Sequence, residues 1–275
     1  MNQIAQLRGM NIGTGFRAFA LRGGGANDLM DPFLGVDHAR MSEPTFATHP
    51  HAGFSAVSYL FLDSETCVNN KDSLGTRNLI APGGLHWTAA GSGVVHDEVP
   101  AVTGKTVHML QIFVNLPEHK QLDAPFALSL EPADVPVVQR PGASIRVPLG
   151  IFGGARSPLH PPTEVTLLDI SLESGAELRI PVTQGLGAFI LPISGALQID
   201  GDAFDASTPR VPMFEVQNKE RDIVLKAGNA PAQAVVFSGK PLRQPVHWQG
   251  PMALASPSAL NARIAAYHRG EFGTV

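Results

Sequence analysis

Two short motifs carry the residue types best suited to chemistry: Thr48-His49-Pro50-His51-Ala52-Gly53-Phe54 and Gly93-Val94-Val95-His96-Asp97-Glu98. Each contains an i, i+2 pair of side chains able to bind a metal. On an extended strand, residues two apart project from the same face, so each pair converges on one side of its strand. Two such strands facing across a barrel would gather three imidazoles and one carboxylate, those of His49, His51, His96 and Glu98, around a single point. That mixed nitrogen and oxygen set suits a first-row transition metal better than magnesium or calcium. A lone His-x-His is more often a pair of ordinary polar residues; the second pair makes a metal the better reading. His86, next to Trp87, has no ligand partner at strand spacing and reads as a structural or pocket-lining residue. His38 reads the same way, on a loop able to overhang the cavity, and Cys67 as an incidental thiol.

The elements that would position these side chains are strands. Residues 54–62 are aromatic and β-branched with partial alternation, and 85–90, 94–99 and 108–117 follow the same pattern between Gly- and Pro-bearing turns. His38 and residues 39–47 read as the loop that delivers the chain to His49, and 63–75 as a polar hairpin excursion. Gly23-Gly24-Gly25 reads as a turn, since no Gly-Lys-Ser/Thr follows to make a phosphate loop. A Pro-rich stretch at 118–145 suits a connection between lobes, and a second run of strands covers 166–172, 188–191, 195–200 and 234–237. Ser256-Pro257 starts a helix with proline just inside it, and this helix should run through Tyr267 to a stop near Gly270. The expected class is all-β, two barrels packed together with a short C-terminal helix. Residues 1–130 would form the barrel with the metal site and 131–275 the barrel without one. Where the first half has His-x-His, the second has Ile180, Pro181, Val182 and Thr183.

Composition narrows the function classes. The chain has 275 residues, 44% hydrophobic and only 16% charged, with 20 Lys+Arg against 24 Asp+Glu. Without a basic run it lacks the electrostatic footprint of a nucleic-acid binder. One cysteine permits no intramolecular disulfide, and no apolar run approaches the roughly 20 residues of a membrane helix. The start, MNQIAQLRGMNIG, has no basic segment followed by an apolar run. A cytoplasmic monomer is expected.

Further motifs occur in a recognisable order: Asp31-Pro32-Phe33-Leu34, Asp72-Ser73-Leu74-Gly75, Trp87-Thr88-Ala89, Leu110-Gln111-x-x-Val114-Asn115-Leu116-Pro117, Gly239-Lys240-Pro241-Leu242 and Gly270-Glu271-Phe272-Gly273. Together with the two histidine motifs, these resemble the pirins, a two-barrel branch of the cupins. The resemblance covers nearly the whole chain. It implies a bicupin of jelly-roll barrels holding one Fe(II), with other divalent transition metals able to substitute, on His49, His51, His96 and Glu98. It also implies one of two roles. The first is a quercetin 2,3-dioxygenase-like oxidoreductase acting on a flavonol-like aromatic or enol substrate and dioxygen, with Glu98 also serving as catalytic base. The second is a non-catalytic, redox-sensing iron protein that acts through a protein partner. The sequence departs from the family pattern near the site. Ala52 and Ser55 stand where pirins have Arg and Glu, Ser92 where they have Arg, His86 where they have Gln, and Asn70 where they have His.

Overall fold

The computed structural model describes residues 3–22, 27–208 and 210–275, so the Gly23-Gly24-Gly25 turn lies outside the described residues. Among the described residues, two barrels are each built from a seven-stranded and a four-stranded antiparallel sheet. In the first barrel the large sheet runs in the order Phe126–Leu130, Leu85–Ala89, Phe54–Leu60, Val107–Asn115, Phe33–Met41, Phe16–Leu21, Arg8–Ile12. Its small sheet runs His49–His51, Val94–Pro100, Val68–Asp72, Arg77–Ile80. The helix Pro257–His268 starts as expected, with the Ser256 side chain accepting a hydrogen bond from Ala259 N.

Alternation along single strands builds both the site and the interface between barrels. On Val107–Asn115, Leu110, Ile112 and Val114 point out into a core shared with the second barrel, whereas Met109, Gln111 and Phe113 point into a cavity. On Phe54–Leu60, Val57 and Tyr59 face that shared core, and Phe54 and Ser58 face the barrel interior. The shared core is closed by Phe33, set edge-on to Phe189 and Phe237 at 5.4 and 5.5 Å. Tyr59 donates across it to Asp169 Oδ2 at 2.7 Å, so its buried hydroxyl has a partner.

The ends of the chain are exchanged. Gln3–Gln6 pairs with Arg210–Phe214 at the edge of the second barrel's large sheet. The C-terminal segment returns to the first barrel: Ala52 bridges to Met252, and Ala52, Val95, Met252, Leu254, Leu260, Ala266 and Phe272 form one apolar cluster. The approach is close enough that Gly53, at φ 84°, could carry no side chain, because a Cβ there would lie 2.1 Å from Ala253 O. Gly93 meets Phe272 in the same way, at 2.3 Å. A division of the chain into 1–130 and 131–275 stands as our proposal for the two units, with strand pairing and packing crossing it at both ends.

Three expectations from the sequence are corrected. His38 lies within the strand Phe33–Met41 and not on a loop; its ring faces away from the cavity and meets His108, Nε2 to Nε2, at 2.7 Å. The polar excursion contains Val68–Asp72, a strand paired to the one bearing His96 and Glu98. The stretch at 118–145 is largely strand, with Phe126–Leu130 closing one edge of the first barrel and Val137–Arg140 and Ala143–Leu149 belonging to the second. For His38, Val68–Asp72 and Phe126–Leu130, pairing partners distant in sequence ordered backbone that its local composition left undecided.

Candidate metal centre

His49–His51 is an edge strand of the small sheet. Pro50 is tolerated at an edge, where one face of the ladder needs no N–H. The strand pairs antiparallel with Val94–Pro100, His49 opposite His96 and His51 opposite Val94. Directly opposed residues share a face, so His49, His51 and His96 meet: their ring centroids are 4.8, 4.7 and 4.8 Å apart. One ring nitrogen from each lies within 4.8 Å of the others, and His49 Nε2 stands 3.2 Å from His96 Nε2.

The outer nitrogens set which lone pairs face inward. His49 Nδ1 donates to Ala47 O at 2.9 Å and His51 Nδ1 donates to Pro251 O at 3.0 Å, leaving an unprotonated Nε2 on each. Burial, and then the neighbouring His49, lower the pKa of His51 to about 3. Burial, and then His51 and His49, put His96 well below the usual histidine range. Neutral, inward-facing imidazoles are the protonation state a metal requires. Glu98, two residues along from His96, lies on the wall of the same cavity. Both of its oxygens lie within hydrogen-bonding distance of Ser58 Oγ, at 2.9 and 2.8 Å, so the single hydroxyl proton serves one at a time. Burial raises its pKa to about 7 against the opposing Ser58 hydrogen bond, with Asp97 adding to the rise. Three nitrogen donors fit a divalent first-row ion, while Glu98, on the same cavity wall, lies outside the group of ligand atoms within 4.8 Å of one another.

The cavity measures about 310 Å³. Its walls are Met10, Phe16, Met41, Phe46, Met109 and Phe113 on one side, and Phe54, Trp248, Gly250 and Pro251 nearer the histidines. Phe54 is buried and also forms a cavity wall, packed 5.5 Å from Trp248. A polar handle is supplied by Asp37, held by the Arg22 guanidinium, which itself lies 4.7 Å over the Phe113 ring. Sequence reasoning left Arg22, Asp37, Ser58, Gln111, Trp248 and Pro251 without a role. For Gln111 the signal was available, as the one polar residue on the inward face of an apolar strand. For Pro251, which orients His51 across 200 positions of sequence, no local signal exists. His86 sits inside the barrel behind the histidines, its Nδ1 donating to Ser129 Oγ at 3.0 Å and its Nε2 facing Asn70 Nδ2 at 3.2 Å. Two of the sequence departures, at 70 and 86, are thus in contact. Ala52 is buried beneath the returning tail, and the Ser92 carbonyl accepts from Arg263 of the C-terminal helix.

Residues 15–114 match the family model described as Pirin, and residues 167–273 match the one described as Pirin C-terminal cupin domain. Pirin of Rattus norvegicus is 30% identical over 269 residues, spanning 97% of this chain and 91% of the rat protein. The chain belongs to the pirin family. Among its relatives, the Pseudomonas aeruginosa protein named "Putative quercetin 2,3-dioxygenase PA3240" is 28% identical, with 94% of this chain and 92% of that protein aligned. The bicupin fold is shared with the crystal structure of quercetin 2,3-dioxygenase from Acinetobacter baumannii, at a TM-score of 0.88 and 24% identity, covering 99% of this chain and 97% of that one. No helix among the described residues is long and apolar enough to cross a membrane.

Proposed function

We propose that this pirin is a metal-dependent dioxygenase of the quercetin 2,3-dioxygenase type, holding one iron(II) ion on His49, His51, His96 and Glu98 and acting on a flavonol-like or enolic aromatic. The observation that carries the reading is the convergence of three imidazoles on the wall of an aromatic-lined cavity, with the Glu98 carboxylate on the same wall. When bound, iron(II) would supply Lewis acidity and redox chemistry toward dioxygen. The remaining work falls to the chain's own groups. Phe46, Phe54, Phe113 and Trp248 offer π-faces that hold a planar ring system and exclude water. Glu98, loosened from the metal, takes the enol proton of the substrate as general base; without the ion, burial raises its pKa to about 7. Ser58 keeps that carboxylate turned toward the cavity in either protonation state. The name carried by the Pseudomonas aeruginosa relative supports the same substrate class.

A second reading, an iron-dependent regulator acting through a protein partner, is favoured by one observation. Trp248 and Phe46 at the cavity remain 45% and 42% exposed, as contact residues for a protein would be. An oxygen electrode separates the two readings. Protein loaded anaerobically with one equivalent of iron(II) is expected to consume dioxygen with at least one member of a flavonol panel, and His96→Ala to consume none. A fully loaded protein inert toward the whole panel would remove the enzyme reading and leave the regulator.

A further inference from the structure

Behind the three histidines, the inward faces of two paired strands carry polar atoms that the protein does not satisfy. His96 is the cross-strand partner of Asp72, and Glu98 that of Asn70. Directly opposed residues share a face of the sheet, with Cβ atoms about 5 Å apart, so His96, Asp72 and Asn70 crowd one patch of the barrel interior. They are 2%, 1% and 0% exposed. His96 Nδ1, Asp72 Oδ2 and Asn70 Oδ1 are all buried and have no protein partner. Unpaired buried polar atoms are costly, and three on adjacent side chains call for one common explanation.

The orientation of each group is set by its other contacts. Asn70 Nδ2 donates to Asn78 Oδ1 at 2.9 Å and faces His86 Nε2 at 3.2 Å, which uses both amide hydrogens and leaves the acceptor Oδ1 free. Asp72 Oδ1 accepts from Leu74 N and Thr76 N, both at 2.9 Å, leaving Oδ2. With a metal ion on His96 Nε2, Nδ1 must carry the proton and becomes a donor. The patch therefore presents one donor and two acceptors. A water molecule that accepts from the donor and gives both of its hydrogens to the acceptors completes this set, with the three hydrogen bonds usual for a buried water.

We propose that His96 Nδ1, Asp72 Oδ2 and Asn70 Oδ1 share one buried water molecule, through which Asp72 and Asn70 hold the His96 ring in the orientation and tautomer that metal ligation needs. The inference rests on the metal reading above and adds positioning residues that the histidine motifs do not contain. His86 acquires a role in this arrangement, since it clamps the Asn70 amide so that Oδ1 faces the water. Asp72, at the far side of the water, sets its negative charge against the Nδ1 proton and strengthens Nε2 as a donor to the metal.

Three measurements test this. A high-resolution crystal structure of the zinc-loaded wild-type protein should show one water within hydrogen-bonding distance of all three atoms; a dry patch, or His96 bonded directly to Asp72, overturns the proposal. Imidazole ¹⁵N spectra of the zinc-loaded protein should place the His96 proton on Nδ1; a proton on Nε2 overturns it. Asp72→Asn keeps the Oδ1 acceptor for Leu74 and Thr76, so the hairpin stays capped while the charge facing the water is lost. Chelator competition should then show zinc bound on the order of 10-fold more weakly with an unchanged far-UV spectrum, and affinity within about twofold of wild type counts against the proposal. If the wild-type protein binds no divalent metal, the metal reading fails and the proposal with it, whereas a zinc-loaded protein with a dry patch overturns the shared water and leaves the metal reading standing.

Discussion

The small sheets of the two barrels have the same strand order and opposite interiors. In the first, the edge strand His49–His51 pairs with Val94–Pro100, followed by Val68–Asp72 and Arg77–Ile80. In the second, Glu177–Val182 pairs with Arg221–Ala227, followed by Ala196–Ile199 and Asp202–Asp205. Ile180 lies opposite Ile223 as His49 lies opposite His96, and Val182 and Leu225 take the places of His51 and Glu98. Those apolar residues belong to a closed core with Leu178, Ile190, Leu197, Ile199, Phe204 and Phe214. Filling a barrel this way contributes roughly 1.5–3 kcal/mol per large buried aliphatic side chain. The first barrel forgoes part of that stabilisation and keeps polar groups and a cavity at the same positions. One barrel is therefore filled, and the other keeps the histidine cluster and its cavity.

The most drastic way to break the contrast is to remove a ligand from the hollow barrel. His96→Ala should abolish stoichiometric metal and all oxygen uptake, exceeding the roughly 100-fold effect that a supporting residue can exert; metal analysis by mass spectrometry and the oxygen electrode check both. Glu98→Gln keeps the shape and removes the base, so the turnover rate should fall by about 10²–10⁴-fold in steady-state kinetics. A loss smaller than that would move proton abstraction to another group. In the filled barrel the response should be the reverse. Ile223→Ala leaves a void and should cost about 2–5 kcal/mol in urea denaturation, while metal affinity measured by chelator competition stays at the wild-type value.

A subtler contrast lies in pH. Glu98, raised from 4.5 to about 7, holds its proton in the folded metal-free protein at pH values where the unfolded chain has already released it. Its contribution to stability is full below pH 4.5, declines as pH rises from 4.5 to about 7, and is constant above. The decline is at most about 3 kcal/mol. His51, lowered from 6.5 to about 3, acts in the opposite sense, its contribution being full above pH 6.5 and lost as pH falls toward 3. Urea denaturation of wild type and Glu98→Gln across this range should therefore diverge between pH 4.5 and 7; parallel curves would mean that Glu98 ionises in the fold as readily as in water. The smallest effect is expected at the cavity mouth. Trp248→Ala should raise KM about tenfold with metal content unchanged, since it removes one aromatic face and no ligand.

The edges of the large sheets hold a second contrast. Beyond Leu85–Ala89 the first barrel is closed by Phe126–Leu130, whereas beyond Arg210–Phe214 the second is closed by Gln3–Gln6, from the other end of the chain. The segment that follows the last strand of the second barrel goes elsewhere. As the hairpin His247–Gln249 with Met252–Leu254, it covers the first barrel and supplies Trp248 and Pro251 to the cavity. The metal-bearing half is therefore completed by residues from the half without a metal site.

Much of this was legible in residue order. Spacing of two placed His49 with His51 and His96 with Glu98, because a strand repeats every two residues regardless of its neighbours. The proline at the helix start, the glycine after its end and the apolar Ile180 and Val182 likewise act through backbone preference and side-chain chemistry carried in the sequence. The strand character of His38 and of Asn70 and Asp72 was not legible, since polar residues have weak intrinsic preference and were drawn into strands by pairing with distant partners. The acceptor that orients His51 is a backbone carbonyl, a group every residue has, and only the returning tail brings Pro251 to it.

By itself, then, the sequence determined the ligand types, their shared faces and which half would be apolar inside, because those follow from local periodicity and side-chain chemistry. The tertiary structure alone decided the size of the cavity, the exchange of the chain ends, and the burial that lowers the pKa of His51 and His96 and raises that of Glu98. Those depend on long-range packing and on exclusion of water, quantities that belong to the whole fold and to no segment of it.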